Sequence, residues 1–243
     1  MKLIQQSLLT IMALVLAAGV HAAKPIPVKV VVVTMFETGE DSGDDAGEFQ
    51  RWNERQKLDK VFAAPHMHHD IHMNEKTGVM GIVTGMGTAN SAASVMALGL
   101  DPRFDLSKAY WLVAGISGFD PADASLGSVA WARFLVDGDL SHEIDAREIP
   151  EDWDHGYFPL FSQGPGDKQR LSYSLGEMFE LNSDLFEWAY QFTKDMELPD
   201  HETLEATRKL YVDYPVGQRK PFVLKGDQLA AMTFWHGEIM NDW

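Results

Sequence analysis

The sequence predicts an α/β domain with a largely parallel sheet between helices, on three observations. Short apolar runs, the first of them dominated by Val, carry no polar alternation, the pattern of strands buried on both faces. These runs are separated by segments of helical spacing rather than by tight hairpin turns. The chain has 243 residues, 45% of them hydrophobic, and no cysteine, so a buried core and not disulfides must supply the stability.

The elements follow in order. Lys2, an apolar stretch from Leu8 to Val20 and the small residues of "VHA" have the layout of a secretory signal peptide, residues 1–22, with cleavage near Ala22. The apolar core is shorter than the roughly 20 residues a spanning helix needs. The remainder, 23–243, reads as one domain, periplasmic or secreted. "VKVVVVTM" (28–35) is a buried strand, followed by an acidic loop and a helix through "GEFQRWNERQKL". "GVMGIVT" (78–84) is a second strand, and "SAASVMALGL" (91–100) a helix of small residues. "AYWLVAG" (109–115) and "GSVAWARFLVDGD" (127–139) are strands, residues 172–196 a helix, and "PFVLKGDQL" (221–229) a last strand. The chain stops at "FWHGEIMNDW" without a polar tail, so it is expected either to pack this end or to lack part of a longer C-terminal region.

Charge narrows the partners. The formal net charge is −16, and loss of a leader holding Lys2 and no acid makes it one unit more negative. Such a surface repels nucleic acid and anionic lipid and favours neutral or cationic small ligands. Beyond the leader no apolar stretch is long enough to span a bilayer. No Gly-x-Ser-x-Gly, His-Glu-x-x-His or Walker sequence is present, and nothing calls for a cofactor.

Ligands of such sheets sit beyond the carboxyl ends of the strands. After the second strand comes Gly85-Met86-Gly87-Thr88, a tight turn at a helix start whose N–H groups can hold a carboxylate, a phosphate or a sugar edge; Asn90 replaces the third glycine of a dinucleotide fingerprint. The first loop holds Glu37, Glu40, Asp41, Asp44 and Asp45. Glu37, nearest the strand end, is the candidate general base or sugar ligand, against a solvated acidic loop or a weak calcium site. His66, His68, His69 and His72 crowd seven residues that read as an exposed hairpin-like loop, either solvated or a metal site. Trp235, beside Phe234, offers stacking area and His236 a hydrogen bond to a planar base, unless the aromatics belong to the core.

The segments "KVVVVTMFETGEDSGDDAGEFQRW", "VTGMGTANSAASVMALGLDPRFDLSKAYWLVAGISGFDP", "DGDLSHEIDAREIPEDW", "FELNSDLFEWAY" and "FWHGEIMNDW", in that order, resemble the purine nucleoside permease family. The resemblance covers nearly all of the chain beyond the leader. More distantly, the spacing is similar to the nucleoside phosphorylase and nucleosidase superfamily. That resemblance implies a three-layer α/β/α fold on a mixed, mostly parallel sheet, with a purine nucleoside at the strand ends. It implies that Gly85, Gly87 and Thr88 border the ribose or phosphate region, that Ser117 and Gly118 lie by the base, and that Asn182 falls in a nucleoside-contacting segment. Glu37 would match the water-activating acid and Asp227 the late Gly-Asp position.

The departures are equally specific. Phosphorylases tend to hold phosphate with arginines in the first loop and at the third strand end. Here that loop is acidic and "YWLVAGISG" has no arginine, which disfavours phosphorolysis. The sequence also ends before a Met-Glu ribose-binding segment. Two main expectations follow: an exported purine nucleoside-binding protein serving uptake with a separate membrane partner, or a periplasmic purine nucleoside hydrolase. An exported metal-binding protein is a third. An oligomer is compatible with any of them.

Overall fold

The computed structural model describes residues 24–167, 178–233, 236, 237 and 239. The expected leader, Trp235 and Phe234 lie outside the described residues. The chain packs as two compact units that meet in sequence between Ile116 and Ser117. Both mix helices and sheet, so the α/β class holds.

In the first unit the strands are β1 (Ile26–Pro27), β2 (Val30–Thr34), β3 (Lys60–Phe62), β4 (Ile71–Asn74), β5 (Val79–Val83), β6 (Phe104–Asp105) and β7 (Tyr110–Val113). Its helices are α1 (Gln50–Gln56) and α2 (Thr88–Gly99). β1 and β6 form a parallel pair, and the other five strands make one sheet in the order β3-β4-β5-β2-β7. β2 runs parallel to both β5 and β7, with Val32 opposite Gly81 on one side and Leu112 on the other. The valine run predicts this central place, because both of its faces are covered. Val31 and Val33 join Met80, Ile82, Leu98 and Phe104 in one buried cluster. Phe49, Leu58 and Val83 form a second. Burying each such side chain contributes roughly 1.5–3 kcal/mol.

The antiparallel side of this sheet departs from the sequence reading. "HMHHDIH" was expected in a loop, but Ile71 and His72 belong to β4, which pairs with β3 and β5. Ile71 and Met73 are fully buried, and Asn74 closes the β4–β5 turn by accepting from the N–H groups of Lys76 and Thr77. Alternation over only four residues, IHMN, is too short to stand out beside a histidine cluster.

The second unit is built on β8 (Val129–Asp137), flanked by β11 (Met178–Glu180), antiparallel, and β12 (Val223–Ala230), parallel. β9 (Ser141–Glu143) and β10 (Tyr157–Pro159) form a separate antiparallel pair. Helix α3 (Ser183–Thr193) packs on β8 and β12, and Trp131 donates its ring N–H to Thr193 at 2.9 Å. Helix α4 (Glu202–Arg208) ends in a buried Arg208, which grips Asp200 with both terminal nitrogens and donates to the Leu126 carbonyl.

Residues 172–196 are therefore not one helix. Residues 178–180 pair with β8, where Arg133 also meets Glu180, and the helix begins only after Asn182 caps it. Strand pairing, a tertiary interaction, overrides the local helical spacing. Among the described residues parallel and antiparallel pairings are equal in number, so the sheets are mixed. No described helix is long and apolar enough to cross a membrane.

Candidate functional site

β5 and β7 lie on opposite sides of β2, so the chain leaves β2 one way and later crosses to the other. Where connections diverge like this in open α/β sheets, ligands bind beyond the carboxyl ends of the strands. The residues there are Met35 to Glu37 after β2, Thr84 to Gly87 after β5, and Ala114 to Ile116 after β7.

The Gly85-Met86-Gly87 turn needs its glycines. Both sit at positive φ, +82° and +90°, where a side chain is strained, and a Cβ on Gly85 would stand 2.5 Å from the His68 ring. The turn is braced from behind. Ser94 donates to the Thr84 carbonyl at 3.0 Å and accepts from the His68 N–H, and the Thr84 hydroxyl meets Ser91 at 3.2 Å. Gly87 is the N-cap of α2 and gives it no side-chain cap, and Thr88 opens the helix exposed. A helix start of this kind offers N–H groups to an oxygen-rich ligand.

Glu37 has a different surrounding from that of an open base. Its carboxylate accepts from the backbone N–H groups of Thr38, Gly47, Phe49 and Gln50, so it ties both ends of the acidic loop together. Burial raises its pKa, but the four N–H donors together outweigh that and hold the carboxyl below its ordinary value. A carboxylate stabilised in this way is a weaker proton acceptor. Asp44 caps the turn at Glu40, and Asp41 meets His72 at 3.2 Å.

Glu48 is the residue that sequence reading missed. It is buried, and its two oxygens accept from Met35 N–H at 2.7 Å and Ile116 N–H at 2.8 Å. One carboxylate thus joins the chain leaving β2 to the chain leaving β7. No motif announces it; the only signal is an acid directly after Gly47 at a helix start.

The histidines do not converge. His68 and His69 stack with ring nitrogens 2.7 Å apart, while His72 turns to Asp41 and packs edge-on against Phe49. Among the described residues no group of three or more His, Asp or Glu is placed to hold a metal ion.

The other predicted residues belong to the second unit. Ser117 donates to the Gln228 side chain at 2.9 Å, which brings it to the irregular part of β12. There the register with β8 shifts between Gly226 and Gln228, and Asp227 in the shift accepts from Phe134 N–H at 3.1 Å. Such bulges re-aim side chains. Gly118 follows in an open loop. Asn182 is the N-cap of α3, its side-chain oxygen accepting from Leu185 N–H at 2.9 Å. His236 is exposed.

Comparisons with known proteins agree over most of the chain. The family model described as purine nucleoside permease matches residues 27–243. A probable purine nucleoside permease of Schizosaccharomyces pombe is 35% identical over 185 residues, which is 72% of this chain and 52% of that protein. A purine nucleoside permease of Candida albicans is 33% identical over 178 residues, 72% of this chain and 43% of the relative. The chain thus spans about half the length of these curated relatives. No solved structure matches it.

Proposed function

This chain belongs to the purine nucleoside permease family, and we propose that it binds a purine nucleoside as part of nucleoside uptake. The ribose sits on the first unit, at the carboxyl ends of β2, β5 and β7, against the Gly85–Gly87 turn. The observation that carries this is the turn itself: two glycines at positive φ lead into an α2 with no side-chain cap, at the point where the chain's connections cross from one side of β2 to the other. The acidic loop favours an uncharged sugar over a phosphate there. On the family resemblance alone, Ser117, Gly118, Trp235 and His236 are proposed as contacts of the base.

Binding is favoured over cleavage. A hydrolase on this scaffold would use Glu37 to activate water, yet that carboxylate is engaged by four backbone N–H groups and held acidic. Its visible work is to hold the loop. We further propose the three-layer arrangement of the nucleoside phosphorylases, which the two-sided covering of β2 supports. Export after removal of residues 1–22, and a separate membrane partner for translocation, complete the proposal.

The test is direct. The protein is titrated with inosine, adenosine and guanosine by calorimetry, and the mixtures are chromatographed for free base. Saturable binding without base release is the expected result. Phosphate-independent base release that disappears in Glu37→Gln would establish the hydrolase instead, and no binding of any of the three would overturn the proposal. Gly87→Val is expected to weaken binding at least tenfold, since ~1.4 kcal/mol already corresponds to that factor. Binding unchanged in Ser117→Trp would defeat the placement of the base.

A further inference from the structure

The two carboxylates bracketing the first loop have separate roles. Glu37 accepts only from its own loop, from Thr38 to Gln50. Glu48 reaches out of the loop and spans the mouth between β2 and β7, one oxygen on each strand's continuation. It is 7% exposed, and among the described residues no cation pairs with it. Among the described residues, two backbone N–H groups are its hydrogen-bond donors. Gly115 leaves the space it occupies: a Cβ there would stand 3.3 Å from Glu48 Oε1 and 2.5 Å from the Met35 methyl.

This arrangement has two consequences. The carboxylate fixes the separation of the two backbones leaving β2 and β7, since both N–H groups are held at the same pair of oxygens. It also places an acidic side chain at these strand ends, in surroundings where water screens little. A ligand entering with a phosphate would meet a charge of its own sign.

We propose that Glu48 is a positioning and specificity-determining residue, setting the spacing of the β2 and β7 ends and excluding phosphorylated ligands in favour of the free nucleoside. The inference rests on the nucleoside-binding reading above. It adds a residue to the site and assigns the discrimination between nucleoside and nucleotide to that residue.

The experiment compares adenosine with adenosine 5′-monophosphate on the full chain, by calorimetric titration, in the unsubstituted protein, Glu48→Gln and Glu48→Asp. The unsubstituted protein is expected to prefer adenosine by about 100-fold, the size a like-charge contact supports. Glu48→Gln, nearly the same shape without the charge, narrows that ratio at least tenfold, as ~1.4 kcal/mol of lost repulsion would. Glu48→Asp weakens both ligands and keeps the ratio. If both affinities fall together in Glu48→Gln with the ratio unchanged, Glu48 is only a strut and the proposal is overturned. An unsubstituted protein that binds both ligands equally overturns it too. Binding of neither ligand removes the nucleoside reading itself, and this inference with it. Should Glu48→Gln fail to fold, Glu48→Asp decides on its own: a preference for adenosine that is kept although the spacing has changed supports exclusion by charge, and a preference that is lost overturns the proposal.

Discussion

The two units are held together by different means. The first closes over clusters of fully buried side chains, with Val31, Ile71, Met73, Met80, Ile82 and Leu98 at 0% exposure. In the second, the buried apolar side chains among the described residues are Ala124, Ala189 and Val223, while Trp188, Phe192, Leu210 and Val212 are all more than 60% exposed. Its ion pairs include Arg208 with Asp200, in which the arginine is buried, and the exposed pairs Arg133 with Glu180 and Lys225 with Glu187. The lesson concerns where substitutions will matter. The strand ends and glycine turn of the first unit are mounted on a packed sheet, whereas the second unit's elements are joined by strand pairing, caps and ion pairs.

The sharpest test of that contrast is Ile82→Ala. Emptying a fully buried site on β5 is expected to cost about 2–5 kcal/mol in urea unfolding, because the cavity adds to the lost transfer energy. The loop comes next. Glu37→Ala strands four N–H groups, at a cost on the order of 1–3 kcal/mol, and amide exchange at Gly47, Phe49 and Gln50 should accelerate. Normal exchange rates there would mean that the loop does not depend on its carboxylate.

The same residue gives a pH prediction. Glu37 has a folded pKa below the ordinary 4.5, so the stability it contributes is fully present above that value and is lost as pH falls through the lower, folded one. Thermal melts of Glu37→Gln should be less acid-sensitive in this window than those of the unsubstituted protein. Asp200, held low by its hydrogen bond from Arg208, acts with the same sign in the second unit. Acid therefore weakens both units, through a loop clamp in one and an ion pair in the other.

Smaller effects are expected on the second unit's surface. Asn182→Ala removes the α3 cap and should lower stability by about 1 kcal/mol. Trp188 stacks on Phe192 with ring centroids 5.6 Å apart, yet both are exposed, so Trp188→Ala should change stability by only about 0.5 kcal/mol. If Trp188→Ala destabilised as much as Ile82→Ala, the contrast between the units would fail.

Much of the first unit's fold was legible because its signals are local and strong. An unbroken valine run, glycines at a turn and a stretch of small residues each permit few conformations, and β2, β5 and α2 lie where these patterns point. The Gly85–Gly87 turn was legible as a candidate site for the same reason. Residues 178–180 were misread because their strand state depends on β8, some 45 residues away in sequence, as the register Met178 to Val136 and Glu180 to Phe134 makes plain.

By itself, then, the sequence determined the α/β class, the buried central strand, the glycine turn beyond β5 and the family resemblance, all properties of neighbouring residues or of their order. Only the tertiary structure decided what the acids do. Glu37 and Glu48 are both acids in one loop, and composition cannot separate them. One became a clamp on its own loop and the other a bridge between strand ends, because burial and the positions of distant backbone N–H groups set what a carboxylate can accept.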